Sequence, residues 1–406
     1  MNERQVFDAI VVGARCAGAA TGLRLAQAGL RVLLVDKATF PSDTLSTHMI
    51  HESGVARLLR WGGSLVNRLR ASGCPPITTS TTDLGTFSYM AEHLPADGNR
   101  EAFCPRRTVL DALLVETAVD AGCELRTGFV FLDVLREGNR VVGITGKTRT
   151  GRTIAERASL VIGADGRRSS VAKAVVAADY DAKPATTCTY YTYWADTAIE
   201  RTVISPRKDV MVVAVPTNDG LTVITGIFPI AEFGSVKSDI ERHYMQALGT
   251  SRVVMERMVG ARRAERFYGT ADLPFHYRTA VGPGWALVGD AGHCKDPILA
   301  RGITDAFRDA ETLSLAIVQG FSGAAPVVEV LGAWARERDE TTRDMYELTY
   351  RLSLLKATSP QMARVYEAAR TNPTVASRFH GVISGAIAYR DFFVSTDTDE
   401  VLRANS

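Results

Sequence analysis

Residues 7–12 read FDAIVV, an apolar, β-branched run with the length of a strand buried on both faces. Gly13 and Gly18 punctuate the turn after it, and the small-residue stretch AGAATGLRLAQAG then suits a helix that stops at Gly29. The next run, RVLLVD, is a second buried strand ending at Asp36. A strand, a helix and a strand with connections this short form a βαβ unit.

Further along, residues 47–61 have helical spacing, with Ile50, Val55, Leu58 and Leu59 apolar, while the Thr- and Ser-rich residues 77–90 suit strands. Residues 108–121 form an amphipathic helix with Leu110, Leu113, Leu114 and Ala118 on one face. Residues 124–127, 129–136 and 140–147 read as strands, the last two meeting at the turn Glu137-Gly138-Asn139. A buried strand at 160–162 ends on Gly163. From about 183 to 277 the texture changes. The runs at 189–194, 209–215 and 221–230 alternate or are β-branched, which predicts a separate antiparallel sheet. A helix is expected over 240–258, another buried strand over 285–288, and mostly helix from 303 to about 366. The pattern has no internal repeat, low-complexity tract or long linker.

Composition narrows the class. A chain of 406 residues suits two intimately joined domains. Its 46% hydrophobic and 23% charged residues are ordinary for a soluble globular protein. A net charge of +2 carries no electrostatic footprint for nucleic acid or anionic membrane. No apolar run is long enough for a membrane span. The N-terminus MNERQVFDAIVVG runs straight into a strand, leaving no room for a signal peptide, so a cytoplasmic protein is expected. The six cysteines form no CxxC pair and read as small buried hydrophobes rather than a disulfide framework. No Cys/His pair has ligand spacing, so no metal site is expected.

Three constellations carry chemistry. In Gly13-Ala14-Arg15-Cys16-Ala17-Gly18 the first and last glycines of a dinucleotide fingerprint are in place, but Arg15 replaces the middle one. The first glycine permits the tight turn and the last lets the helix approach the sheet. Arg15 offers phosphate a charge-assisted contact, beside the helix N-terminus. Asp36, at the end of the second strand, stands where a carboxylate holds ribose hydroxyls. The second constellation, Gly163-Ala164-Asp165-Gly166-Arg167-Arg168, comes after a strand and either sets a carboxylate against a cofactor or is a turn with solvated arginines. The third is Gly289-Asp290-Ala291-Gly292-His293, continued by Asp296-Pro297 and Gly302-Ile303-Thr304-Asp305. There a strand delivers Asp290 towards a ribityl hydroxyl, and a helix N-terminus after Gly302 offers positive partial charge to a reduced flavin.

In this order the three resemble the FAD-dependent aromatic hydroxylase superfamily (group A flavoprotein monooxygenases), which also contains geranylgeranyl reductases and flavin halogenases. The resemblance spans residues 7 to about 315. It implies an α/β fold in which a glutathione-reductase-type FAD-binding Rossmann domain (residues 1–75, 101–180 and 279–325) is interleaved with an antiparallel-sheet substrate domain (76–100 and 181–278), ahead of a helical C-terminal region (326–406). It implies FAD held by Gly13, Ala14, Arg15, Ala17, Gly18, Asp36, Lys37, Thr47, Asp165, Gly289, Asp290, Pro297, Gly302, Ile303 and Thr304, with Arg107 on a phosphate or ribose. The segment Ser46-Thr47-His48 would pass beside the flavin ring, where His48 orients substrate, moves a proton or is a satisfied structural histidine. Two departures stand out. In Pro297-Ile298-Leu299-Ala300-Arg301-Gly302, Ala300 takes the place of a glycine, and Arg301 puts a charge near the expected flavin edge, where it would alter substrate access. Lys295 is either solvated or, if desolvated, an acid–base candidate.

The implied reaction is insertion of one atom of O2 into an aromatic or other electron-rich small molecule, through a flavin C4a-hydroperoxide. The aromatic cluster Tyr190, Tyr191, Tyr193 and Trp194 sits on the expected substrate sheet. Alternation divides it, with Tyr191 and Tyr193 taken as the substrate-facing pair. A reductase of the geranylgeranyl type is the alternative, and a flavin-binding protein without turnover is the alternative from another class. Halogenation is disfavoured, because the Trp-x-Trp-x-Ile-Pro signature is absent. There is no second glycine fingerprint. Electrons would therefore come from NADH or NADPH bound transiently over the flavin, or as reduced flavin from a partner reductase. The region from 325 onward packs on the FAD domain or forms a homodimer contact.

Overall fold

The computed structural model describes residues 6–393. The opening residues of the N-terminal segment and the end of the 326–406 region lie outside them.

The βαβ unit seeds the first sheet. Phe7–Val12 pairs in parallel with Val32–Asp36 on one side and Thr153–Gly163 on the other. Glu124–Thr127 and Trp285–Leu287 extend the parallel ladder outward. A parallel sheet needs cover on both faces, which is why these strands are apolar without alternation. The helices Cys16–Gln27, Arg107–Asp120 and Gly302–Phe321 bury one face, through Leu23, Leu114 and Phe307 among others. The hairpin Val130–Glu137 and Arg140–Lys147, with the short helix Ser170–Ala174, covers the other.

The second sheet runs in the order 262–263, 187–195, 222–229, 210–216, 202–207, 79–83, 88–92. It is antiparallel except where Thr79–Asp83 lies parallel to Thr202–Arg207, so the expected antiparallel sheet is a mixed one. Directly opposed residues share a face. Tyr191 opposes Thr225, which opposes Val213, and Tyr193 opposes Val223, which opposes Val215. That face looks towards the first sheet. On the reverse face Tyr190, Trp194, Val212 and Ile224 pack under the helices Ile240–Gly249 and Arg252–Arg257. The single helix expected over 240–258 is thus two, because the Ser251 side chain accepts from the Val254 N–H and caps a new start.

The C-terminal region is helical, as Val327–Ser353, Pro360–Thr371, Pro373–Ser384 and Tyr389–Phe393, and continues past the expected stop near 366. Ser359 and Asn372 cap two of these helices, each followed by proline in the first turn. The region packs on the helix Gly302–Phe321 of the expected FAD domain through Leu331 and Trp334, on the second sheet, and on the loop before that helix. The helix expected over 47–61 begins only at Glu52, since His48 adopts a left-handed φ of 63° that no helix accommodates. Among the described residues no helix is long and apolar enough to cross a membrane. All six cysteines are free and buried.

Candidate active site

Gly13 ends the first strand with φ +103°, and its N–H donates to the carbonyl of Val35 at 2.8 Å. A Cβ here would stand 2.5 Å from the carbonyl oxygen of Ala164, and one at Gly18 would stand 1.7 Å from the carbonyl oxygen of Gly13. These close approaches draw the N-terminus of Cys16–Gln27 onto the turn. No side chain caps that end and no acid occupies its first turn, so its open N–H groups and dipole are left for an anion. Asp36 pins the turn by accepting the N–H groups of Ala14 and Ala38, each at 2.7 Å. Each carboxylate oxygen keeps a lone pair for another donor.

Behind this turn Asp111, fully buried, gathers two cations. Arg107 donates to it at 2.8 and 3.1 Å, and Arg15 reaches it from the cavity side. Arg15 is also tied to Ser42 and Asp43. Two guanidinium groups share one carboxylate, which leaves a net positive charge on the wall.

The second and third constellations meet the first across a cavity of about 810 Å³ lined by Gly13, Arg15, Ala17, Asp36, Lys37, Thr47, Arg107, Asp165, Tyr191, Gly289, Asp290, Lys295, Pro297, Gly302 and Ile303. Asp290 is exposed to this space, and its carboxylate has no hydrogen-bond partner among the described residues. Asp165 lines the cavity, but the turn uses both its oxygens: Ser169, Ser170 and Val171 donate to them. These bonds hold the start of the helix Ser170–Ala174, while Oδ1, with one donor, keeps a lone pair for another. Arg167 and Arg168 both pair with Asp272, at 3.0 and 2.7 Å, and the Arg168 side chain stays largely exposed to solvent.

Several expected site residues lie elsewhere. Arg301 turns away from the cavity and donates to the carbonyls of Val382 and Ile383, so it neither faces a flavin edge nor meets substrate there. Thr304 is buried, and its hydroxyl accepts the N–H of His51 at 3.0 Å instead of facing the cavity. His48 is fully buried with Nε2 2.9 Å from the Tyr193 hydroxyl, and neither side chain reaches the cavity. Burial and the positive charges of Arg107 and Arg106 push the His48 imidazole down to about 3, which favours its neutral form at physiological pH. Tyr193 thus backs the wall that Tyr191 forms. Lys295 is desolvated, ruling out the solvated reading, and forms an ion pair with Asp305. Burial would raise the Asp305 carboxyl, but Lys295, Arg301 and Arg308 overcome it and hold the group well below the usual range. Ala300 adopts φ 52°, the left-handed conformation its glycine equivalent would take freely.

A second, apolar cavity of about 210 Å³ adjoins the first, and Thr47, Thr225 and Pro297 line both. Met211, Val213, Val215 and Ile227 of the second sheet face Ile298, Leu299, Leu352 and Leu355 across it. Sequence reading missed this wall, although the alternation over 210–216 and 222–229 carried its signal.

The larger cavity fits FAD. It offers a glycine turn packed too closely for a Cβ at Gly13 or Gly18, two helix starts without side-chain caps, a cationic wall for diphosphate, and the open Asp290 carboxylate for hydroxyls. The comparisons agree. The family model described as FAD binding domain matches residues 6–264. The digeranylgeranylglycerophospholipid reductase of Methanocella arvoryzae is 28% identical over 316 residues, 74% of each chain. The rifampicin monooxygenase of Streptomyces venezuelae is 25% identical over 365 residues, covering 87% of this chain and 73% of that one. Among solved structures, the flavin-dependent brominase Bmp2 superposes with a TM-score of 0.82 at 17% identity over 98% of both chains, a likeness of fold. The chain belongs to the FAD binding domain family and is an FAD-dependent oxidoreductase of the group that includes the aromatic hydroxylases.

Proposed function

We propose that the protein is a monooxygenase acting on a compact, apolar, electron-rich molecule, in practice one or two aromatic rings. The apolar cavity carries this reading. A dry cavity of about 150 Å³ takes up benzene, so one of about 210 Å³ suits a small ring system rather than a long chain. Among its polar groups, Thr47, Ser80, Thr202 and Thr225 would orient such a substrate.

Gly13, Ala14, Arg15, Ala17, Asp36 and Lys37 would hold the adenosine and diphosphate half of FAD, with Arg107 behind them. Gly289, Asp290, Pro297, Gly302 and Ile303 would border its ribityl chain and ring. Bound FAD supplies hydride acceptance and, once reduced, the activation of O2. The chain's own contribution is to hold substrate and flavin at the shared border of Thr47, Thr225 and Pro297, and to exclude water with the aliphatic wall. Tyr191, which lines the larger cavity beside Thr225, would limit how far a ring advances. The Lys295–Asp305 pair, also on that wall, would keep a desolvated cation near the ring. NADH or NADPH bound transiently, or a separate flavin reductase, would deliver the electrons in the cytoplasm.

A second reading, saturation of an isoprenoid double bond, draws on the aliphatic Val213, Val215, Val223 and Ile227 of the sheet wall and the similarity to the archaeal reductase. Anaerobic titration of the FAD-loaded protein with NADH and NADPH, followed by admission of O2 with candidate phenols, separates the two. Oxygen-dependent hydroxylated product supports the monooxygenase. Reduction of a prenyl substrate without O2 overturns it, and flavin that no donor or chemical reductant can reduce overturns both.

A further inference from the structure

Three stretches remote in sequence converge beside the apolar cavity. Glu52 opens the helix Glu52–Trp61, His93 comes directly after the strand Ser88–Glu92, and His380 sits on Pro373–Ser384. Glu52 and His93 are fully buried and His380 is 7% exposed. His380 Nε2 lies 2.9 Å from Glu52 Oε1, and His93 Nδ1 stands against the same oxygen without the direction of a hydrogen bond. The other oxygen, Oε2, is buried with no partner among the described residues. No lysine or arginine of the described residues pairs with this carboxylate, whose partners are the two imidazoles. An ionised Glu52 in this interior needs a positive charge beside it, which either a proton on the imidazoles or a bound cation would supply.

We propose that Glu52, His93 and His380 bind one divalent first-row cation of the zinc class. Two imidazoles and a carboxylate are the donors such ions prefer, whereas calcium and magnesium call for oxygen alone. The three ligand atoms lie within 4.8 Å of one another. Bonds of about 2.0–2.2 Å would draw them inward. The histidine rings stack with centroids 4.1 Å apart, and binding turns them out of the stack, because a ligand lone pair lies in its ring plane. An outer-sphere partner is in place: His93 Nε2 is 2.8 Å from Ser80 Oγ, and in the tautomer in which Nε2–H donates to that hydroxyl, Nδ1 is free to take the metal. Glu52 Oε2, or a water from the cavity that Ser80 and His380 line, would complete the shell. The ion would clamp the C-terminal helices to the second sheet and to the helix beside the flavin cavity. The site borders the proposed substrate cavity through Ser80 and His380, but metal binding there does not depend on which substrate that cavity takes.

The test uses the full-length, FAD-loaded protein, stripped with chelator, dialysed, and titrated with Zn2+ against a chromophoric competitor, with metal content measured in parallel. One equivalent per chain is expected, together with a rise in Tm that chelator reverses. Glu52→Gln and His380→Gln should each weaken binding by roughly tenfold or more, as loss of a ligand or its support does elsewhere. They should do so with the FAD content unchanged. Failure of the unmutated protein to bind Zn2+ stoichiometrically overturns the proposal, as does binding that both variants retain. A Tm that varies with pH but ignores zinc and chelator would mean that a proton holds the cluster, and overturns it too. Should the variants lose FAD through misfolding, the titration of the unmutated protein decides alone.

Discussion

The guanidinium of Arg301 donates to the carbonyl oxygen of Ile383 at 2.8 Å, tying the residue before the helix Gly302–Phe321 to the end of a helix some eighty positions later. Arg301 also reaches Val382 and Asp305. Arg301→Met keeps the bulk but leaves carbonyls at a buried helix end without donors. A loss of about 2–4 kcal/mol in urea unfolding is expected. Flavin content at low denaturant should be retained, because the side chain points away from the cavity.

Ala300, one residue earlier, holds φ 52° at a cost that glycine would not carry. Ala300→Gly should raise stability by up to about 1 kcal/mol, the strain relief being partly offset by a more flexible unfolded chain. Thermal unfolding of the two proteins side by side measures it, and a lower Tm for the variant would show that the strain is absent.

Gly13→Ala attacks the flavin cradle directly. The added methyl would meet the carbonyl of Ala164 at 2.5 Å in a backbone conformation that alanine avoids. FAD affinity should fall roughly tenfold to a hundredfold, corresponding to about 1.4–2.8 kcal/mol, read as the flavin-to-protein absorbance ratio after dialysis.

Val213 stands opposite Thr225 on the face that lines the apolar cavity. Val213→Trp fills space that a ring would occupy while leaving the glycine cradle alone. Turnover of a phenolic substrate should fall by about tenfold or more in kcat/KM, with FAD content unchanged. Undiminished turnover would remove this cavity from the substrate path.

Asp296 supplies the pH prediction. Its oxygens accept the Thr187 hydroxyl at 2.6 Å and the Ile298 N–H at 2.9 Å, and burial pushes its carboxyl up from the ordinary 3.8 to about 6. Between those values the folded chain holds the proton and the unfolded chain does not. The stabilisation is therefore fully present below pH 3.8 and is lost as pH rises through about 6. Its size is roughly 3 kcal/mol at most. Asp296→Asn keeps both hydrogen-bonding positions and should flatten that fall in Tm between pH 4 and pH 6.5 in the flavin-free protein.

Where the structure departs from the pattern, it does so at long-range contacts. Arg301 and Lys295 obey similar local rules, yet one caps a distant helix and the other pairs with Asp305 on the cavity wall. His48 and His51 lie three residues apart, but only His51 borders the apolar cavity, because the left-handed backbone at His48 turns that ring towards Tyr193.

By itself the sequence determined the βαβ unit, the three glycine-bearing turns and the alternating strands of the second sheet. Each depends on local periodicity or on backbone freedom that neighbouring residues reveal. It also carried FAD, since phosphate and ribose are met by short motifs at strand ends. Only the tertiary structure decided which face of the tyrosine strand looks at the cavity, that Asp111 holds Arg15 and Arg107 together, and that Glu52, His93 and His380 meet at all. Those relations join residues up to 328 positions apart. They arise from how the C-terminal helices pack on the sheet, and that packing is set by shape and burial summed over many contacts, which leaves no local spacing to read.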